Sequence, residues 1–345
     1  MNITNRINRW KDLYNQSADS KTLMYIINYP ANIHGFPILN AENKTLRIDW
    51  AKKKYEWQVK NVELYEDDSL PHLSPVTGTE IFAEAFGCKV FYPHNNLPGA
   101  IPLVSDSKAA SKLKVPKLED TPLMMLFDIM DELIRFAGDD ALRRLPDIQC
   151  PIDISALIWD KTDFYMTIAD EPEAIHEIAG KVRELQTNFL DEWFKRYGTT
   201  YIAHYPDYYM EGGITMSVDE LGCISPTMFR EFFTGEINEL SRRYGGVGIH
   251  SCAESESQWD NLKQIEGLKL LNLHRTKDQV LKAIDFYKEK CVQMHIVIES
   301  KTVVHNITTE DIEKRFPQSY RVILPLDAQD LDHAKKLAEQ YSKYR

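Results

Sequence analysis

Residues 228–251 read MFREFFTGEINELSRRYGGVGIHS, and the way this stretch divides decides the fold. Ser225-Pro226 opens a helix just upstream, because a serine hydroxyl caps free amides and proline suits a first turn. Gly245-Gly246 ends it, since glycine takes the left-handed conformation that stops a helix at no steric cost. The run VGIHS that follows is a short strand. Helix then strand is half of a βαβ unit, and the rhythm continues in both directions. Upstream, residues 170–197 carry Ile175, Ile178, Val182, Leu185, Phe189, Trp193 and Phe194 at a helical period, between an Asp170/Glu173 capping pair and Gly198. The β-type runs TTYIAHY and GITMSV come next. Downstream the order is LKLLNLH, a helix capped at Thr276, QMHIVIE, a helix capped at Thr308, RVILP and a closing helix from LDHAKK onward.

With LMYII near residue 25, a stretch within 69–90 and LPDIQCP at 145–151, about eight strands alternate with helices. The pattern predicts one α/β domain over residues 1–345, a (β/α)8 TIM barrel with an N-terminal helical extension at 1–20. Residues 29–47 and 89–120, rich in Pro and Asn, read as long loops over one face. No GxGxxG or GxxxxGKS motif occurs, which removes the phosphate-cradling turns of nucleotide-binding sheets.

Bulk properties set the remaining bounds. The 345 residues are 43% hydrophobic and 27% charged, with a formal net charge of −11. That acidity, with no basic stripe, argues against nucleic acid. The apolar runs are far short of a membrane span, and MNITNRINRWKDLYNQ lacks the apolar centre of a secretory signal. Five scattered cysteines without a CxxC pair predict reduced thiols and a cytoplasmic protein.

Strand side chains alternate, so Val247, Ile249 and Ser251 share one face of VGIHS and Gly246, Gly248, His250 and Cys252 share the other. The branched residues belong against outer helices, which turns the glycines, His250 and Cys252 to the barrel axis. His250 and Cys252 then stand at the C-terminal end of their strand, where active sites of this architecture form. An imidazole and a thiolate on one face can both reach a metal ion at roughly 2.0–2.3 Å, and mixed N/S ligation favours zinc. A buried thiol beside a hydrogen-bonded histidine is the plain alternative. A catalytic zinc needs a third ligand, and His274, ending LKLLNLH, is the first choice. Cys223, Glu299 and Asp327 are further candidates.

The segments PIDISALIWDKTDFYMTIADEPEAIHEI, DELGCISPTMFREFF and RRYGGVGIHSCAES resemble the uroporphyrinogen decarboxylase superfamily, with looser agreement in FAEAFGCKV and RVILP. The resemblance implies a (β/α)8 barrel with a deep cleft at its C-terminal face, often a homodimer. It implies one of two chemistries. The decarboxylases hold a tetrapyrrole with an arginine-bearing segment after the first strand and an aspartate, whereas this chain has MYIINYPANIHGF and SLPHLSPVTG there. Asp67 and Asp68 lie outside the matching motif. The zinc-dependent branch moves methyl groups between a corrinoid and a thiol, and its H-x-C mark matches His250-Ser251-Cys252. Its last cysteine is absent from RVILPLDAQ, and Ala253 replaces the glycine that follows H-x-C.

The expected function is therefore zinc-dependent methyl transfer between a corrinoid (methylcobamide) and a thiol, with a small-molecule substrate and a corrinoid protein as partners. A cofactor-free decarboxylase of the uroporphyrinogen type and a non-catalytic corrinoid- or tetrapyrrole-binding barrel are the alternatives. The tyrosines of TTYIAHYPDYYMEGG, Tyr205 and Tyr208 among them, could form an aromatic wall for a flat macrocycle or sit in half-buried loops. Asp219 and Glu220, after GITMSV, are the acid–base candidates, or simply solvated strand-end charges. Asp153 reads as a cap of the following helix.

Overall fold

The computed structural model describes residues 2–30, 33–93, 97–300, 303–304 and 306–344, with only the backbone described at 299, 300, 303 and 304. Its centre is a mostly parallel sheet flanked by many helices. Parallel ladders run in the order Ile214–Ser217, Val247–Ser251, Leu268–Arg275, Val292–Gln293, Tyr320–Asp327 and Lys21–Asn28. The helices Thr234–Tyr244, Lys277–Tyr287, Thr309–Arg315 and Leu331–Tyr341 alternate with these strands. Most strand positions are buried on both faces, as a parallel sheet covered by helices requires. Gly245 ends its helix in the left-handed conformation, at φ 84°.

The earlier half departs from the predicted rhythm. LPDIQCP makes only an isolated bridge between Gln149 and Ser217. Pro146 and Pro151 cannot donate to a ladder, and Pro151 instead starts the helix Pro151–Ile158. The stretch 69–90 contributes the two-residue strand His72–Leu73, paired in parallel with Leu142–Arg143, and the helix Ile81–Ala85. Thr200–Ile202 folds back on Tyr209–Glu211 as an antiparallel hairpin. QMHIVIE is divided into Val292–Gln293 and Ile296–Ser300, and the second piece pairs antiparallel with Val303–Val304. The region read as loop at 29–47 gives way at Lys44 to a helix, Lys44–Leu64.

The N-terminal extension forms the helix Ile3–Asn15, and it is tied to the sheet. Trp10 Nε1 donates to the Asp68 carbonyl at 2.8 Å, and Arg6 pairs with Asp67 at zero exposure of both side chains. Asp67 and Asp68 also accept from the amides of Ile27 and Tyr25, at 2.9 and 3.1 Å. These two carboxylates therefore clamp the helix and the first strand together.

Candidate functional site

His250 is placed by the strand Val247–Ser251, which sits between Ile214–Ser217 and Leu268–Arg275. Ser217 is level with His250 on one side and Asn272 on the other. The next strand thus carries Asn272 alongside His250, and Asn272 Oδ1 lies 2.6 Å from His250 Nδ1. Asn272 Nδ2 donates to the Met294 carbonyl, which can only accept, so Oδ1 must face the imidazole. His250 Nδ1 consequently carries the proton, and the lone pair of Nε2 is left for a ligand. Burial lowers the pKa of His250, which favours that neutral form.

Asp219 follows the strand Ile214–Ser217, and its Oδ1 accepts from the Cys252 amide at 2.7 Å. Behind it, Asp153 of the helix Pro151–Ile158 accepts from the Asp219 amide at 2.6 Å and the Glu220 amide at 3.2 Å. Asp153 therefore holds the loop that carries Asp219. Ligand atoms of Asp219, His250 and Cys252 all lie within 4.8 Å of one another. Cys252 is exposed, yet desolvation by its neighbours, and then the Asp219 charge, push its thiol up to about 12.

A cavity of about 340 Å3 opens beside this cluster, with Asp219, His250, His274, Tyr205, Arg144 and Asp147 in its wall. The rings of Tyr205, His250 and His274 pack on one another with centroids 4.7–5.4 Å apart. Burial and the neighbouring His250 lower His274 to about 3, and its Nε2 is enclosed without a hydrogen-bond partner. His204 forms part of the wall, with Nδ1 3.1 Å from Thr215 Oγ1 and Nε2 2.9 Å from Ser217 Oγ.

The sequence candidates therefore divide. His250 and Cys252 come together, and the third member of the cluster is Asp219, in the sequence an acid–base candidate or a solvated strand-end charge. His274 packs edge-on against His250 without joining the cluster. Tyr205 lines the cavity, but Tyr208 does not: it is fully buried, and its hydroxyl fills the space over Gly248, where a Cβ would lie 2.1 Å from that oxygen. The space that Gly248 leaves beside His250 is thus occupied by this ring. Glu220 turns away from Asp219 and bonds to Lys161 and Tyr165. Cys223 is exposed and outside the cluster. Asp327 accepts from Asn28 Nδ2 at 3.0 Å, away from His250. The Glu299 side chain lies outside the described residues.

Four residues of the site carry no signal in the sequence: Asn272, Arg144, Lys54 and Asp147. Asn272 belongs to no motif, and it meets His250 only through the register of the paired strands. Arg144 forms an ion pair with Asp207 at 2.7 Å and, with Lys54, supplies the cavity with cations. Asp147, also in the wall, has one enclosed oxygen without a partner, and burial pushes its carboxyl up to about 7. The RRLPD stretch that holds Arg144 and Asp147 carries no spacing signal, because its bend toward the cavity is a tertiary matter.

No family model matches the chain, and no curated protein matches it. Among solved structures, it is similar to a methyltransferase from Methanosarcina mazei, at 12% identity, with 98% of each chain covered and a TM-score of 0.66. At that identity the likeness speaks for the fold, an α/β chain with a mostly parallel central sheet of the TIM-like kind.

Proposed function

We propose that this chain is a methyltransferase of the zinc-dependent branch of the uroporphyrinogen decarboxylase superfamily, built on a (β/α)8 barrel and moving a methyl group between a corrinoid and a thiol. The carrying observation is the convergence of one carboxylate, one imidazole and one thiol from two separate segments, Asp219 from one and His250 with Cys252 from the other. The donor set fits zinc, which in catalytic sites takes three protein ligands and keeps a fourth position for water or substrate. When bound there, zinc supplies the charge that holds a substrate thiol as its thiolate near neutral pH.

The chain's own residues prepare that position. Asn272 fixes the His250 tautomer so that Nε2 faces the ligand. Asp153 fixes the Asp219 loop through two amides. Tyr205 and the neutral His274 ring form the wall beside the open position, and the unpartnered His274 Nε2 offers a hydrogen bond to what enters. Fold similarity to a methyltransferase over nearly the whole chain supports the same reading.

The test is metal content of the purified chain by elemental analysis beside Cys252→Ala and Asp219→Asn, with methyl transfer from methylcobalamin to a small thiol measured on the same samples. Near-stoichiometric zinc that is lost in both variants together with activity is the expected result. A chain without metal, or variants that keep both metal and transfer, would overturn the proposal. A second reading, a metal-free lyase acting on a carboxylic acid, is favoured by Lys54 and Arg144 in the cavity wall. Acid release that persists in chelator would select it.

A further inference from the structure

Lys11, Lys269, Lys290 and Arg321 gather at the opposite end of the parallel strands, around a cavity of about 530 Å3. The strand Leu268–Arg275 connects the two ends: Lys269 at its start lines this cavity, and His274 near its finish lines the central one. In a chain of net charge −11, the four cations here meet a single carboxylate, Glu211. Such a concentration needs a reason, because like charges brought together repel unless an anion lies between them.

The cations are anchored but not saturated. Lys269 Nζ donates to the carbonyls of Glu211 and Gly212, at 3.0 and 3.3 Å, and Lys290 Nζ donates to the Ile265 carbonyl at 2.9 Å. Arg321 Nη1 reaches the Gln16 carbonyl at 3.4 Å, while its Nε is enclosed without a partner. An enclosed guanidinium donor is costly until something accepts from it. At the rim, Lys11 and Glu211 pair at 3.3 Å with side chains 43% and 52% exposed, so solutes can reach the cavity.

We propose that this second cavity binds a small phosphate-bearing molecule. Arg321 and Lys290 receive the phosphate group, Lys269 faces it, and Lys11 exchanges its pairing with Glu211 for the ligand. A forked guanidinium with several ammonium groups suits a tetrahedral dianion better than a single carboxylate. The volume is that of a small-molecule site. Because Lys11 and Tyr14 belong to the N-terminal helix, a bound anion also ties that helix to the sheet. The site lies at the other end of the strands from Asp219, His250 and Cys252 and stands whether or not the methyltransferase reading holds.

The test is calorimetric titration of inorganic phosphate and of pyrophosphate into the full chain at constant ionic strength, with Arg321→Gln, Lys290→Gln and Glu211→Gln alongside. Saturable binding is expected, weakened on the order of tenfold by each cation removed, the loss of one charge-assisted hydrogen bond. Glu211→Gln should bind more tightly, since it removes the competing carboxylate. Lys290→Gln guards against misfolding in the Arg321 variant, because that lysine is anchored through a single carbonyl. Absence of saturable heat for both anions, or equal binding by wild type and the cation variants, would overturn the proposal.

Discussion

Glu80→Gln should make this protein more stable at alkaline pH and leave it unchanged in acid. Glu80 is 2% exposed, and its Oε2 is enclosed without a partner. Burial, reinforced by Glu84 and Asp147 against the pull of its own amide and Arg47, raises its carboxyl from 4.5 to about 7. Between those values the native chain holds a proton that the unfolded chain has released. Stability therefore falls as pH rises through that window, and the full cost is present above it. A shift of roughly 2.5 units at about 1.36 kcal/mol each comes to about 3 kcal/mol. Gln has the same shape and no charge, so the variant should exceed wild type by an amount of that order near pH 8.5, and by almost nothing near pH 4.5. For 345 residues that is roughly 4 °C in melting temperature. Melting both proteins across this pH range is the assay. A difference that does not grow with pH would refute the assignment of a buried, destabilising carboxylate at Glu80.

Gly248→Ala places a Cβ 2.1 Å from the Tyr208 hydroxyl, so it should cost about 1–3 kcal/mol in urea unfolding. Tyr208→Phe removes an enclosed, unpartnered hydroxyl; alone it should be neutral or stabilising, and it should recover most of the Gly248→Ala loss in the double variant. Additive losses would refute that packing. Asn272→Ala deprives His250 Nδ1 of its 2.6 Å acceptor, and zinc affinity by chelator competition should fall about 10–100-fold. Asp153→Ala leaves two amides unpaired, at about 1–3 kcal/mol each, and should loosen metal retention through Asp219. Unchanged zinc retention in Asp153→Ala would show that Asp219 needs no such support.

The amino-acid order by itself determined where helices begin and end in the second half of the fold. There, caps, glycine stops and apolar periods are local signals, and each falls where an element begins or ends: Ser225-Pro226, Gly245, Thr276 and Thr308 all act as read. The first half was less legible because, after Lys21–Asn28, its strands are only two or three residues long or reduced to isolated bridges, which leave no periodicity to see. The pairing of His250 with Cys252 was legible for the same local reason, since both lie on one strand face. Only the tertiary structure decided the rest of the site. Asp219 is 31 residues upstream of His250 in the sequence, and strand pairing that sets Ser217 level with His250 brings the two together. Asn272, level with His250 on the neighbouring strand, chooses its tautomer, and Tyr208 from the hairpin fills the space over Gly248. Periodicity states which way a residue faces along its own element; which residues meet across elements depends on register, and register is set by the packing of the whole sheet.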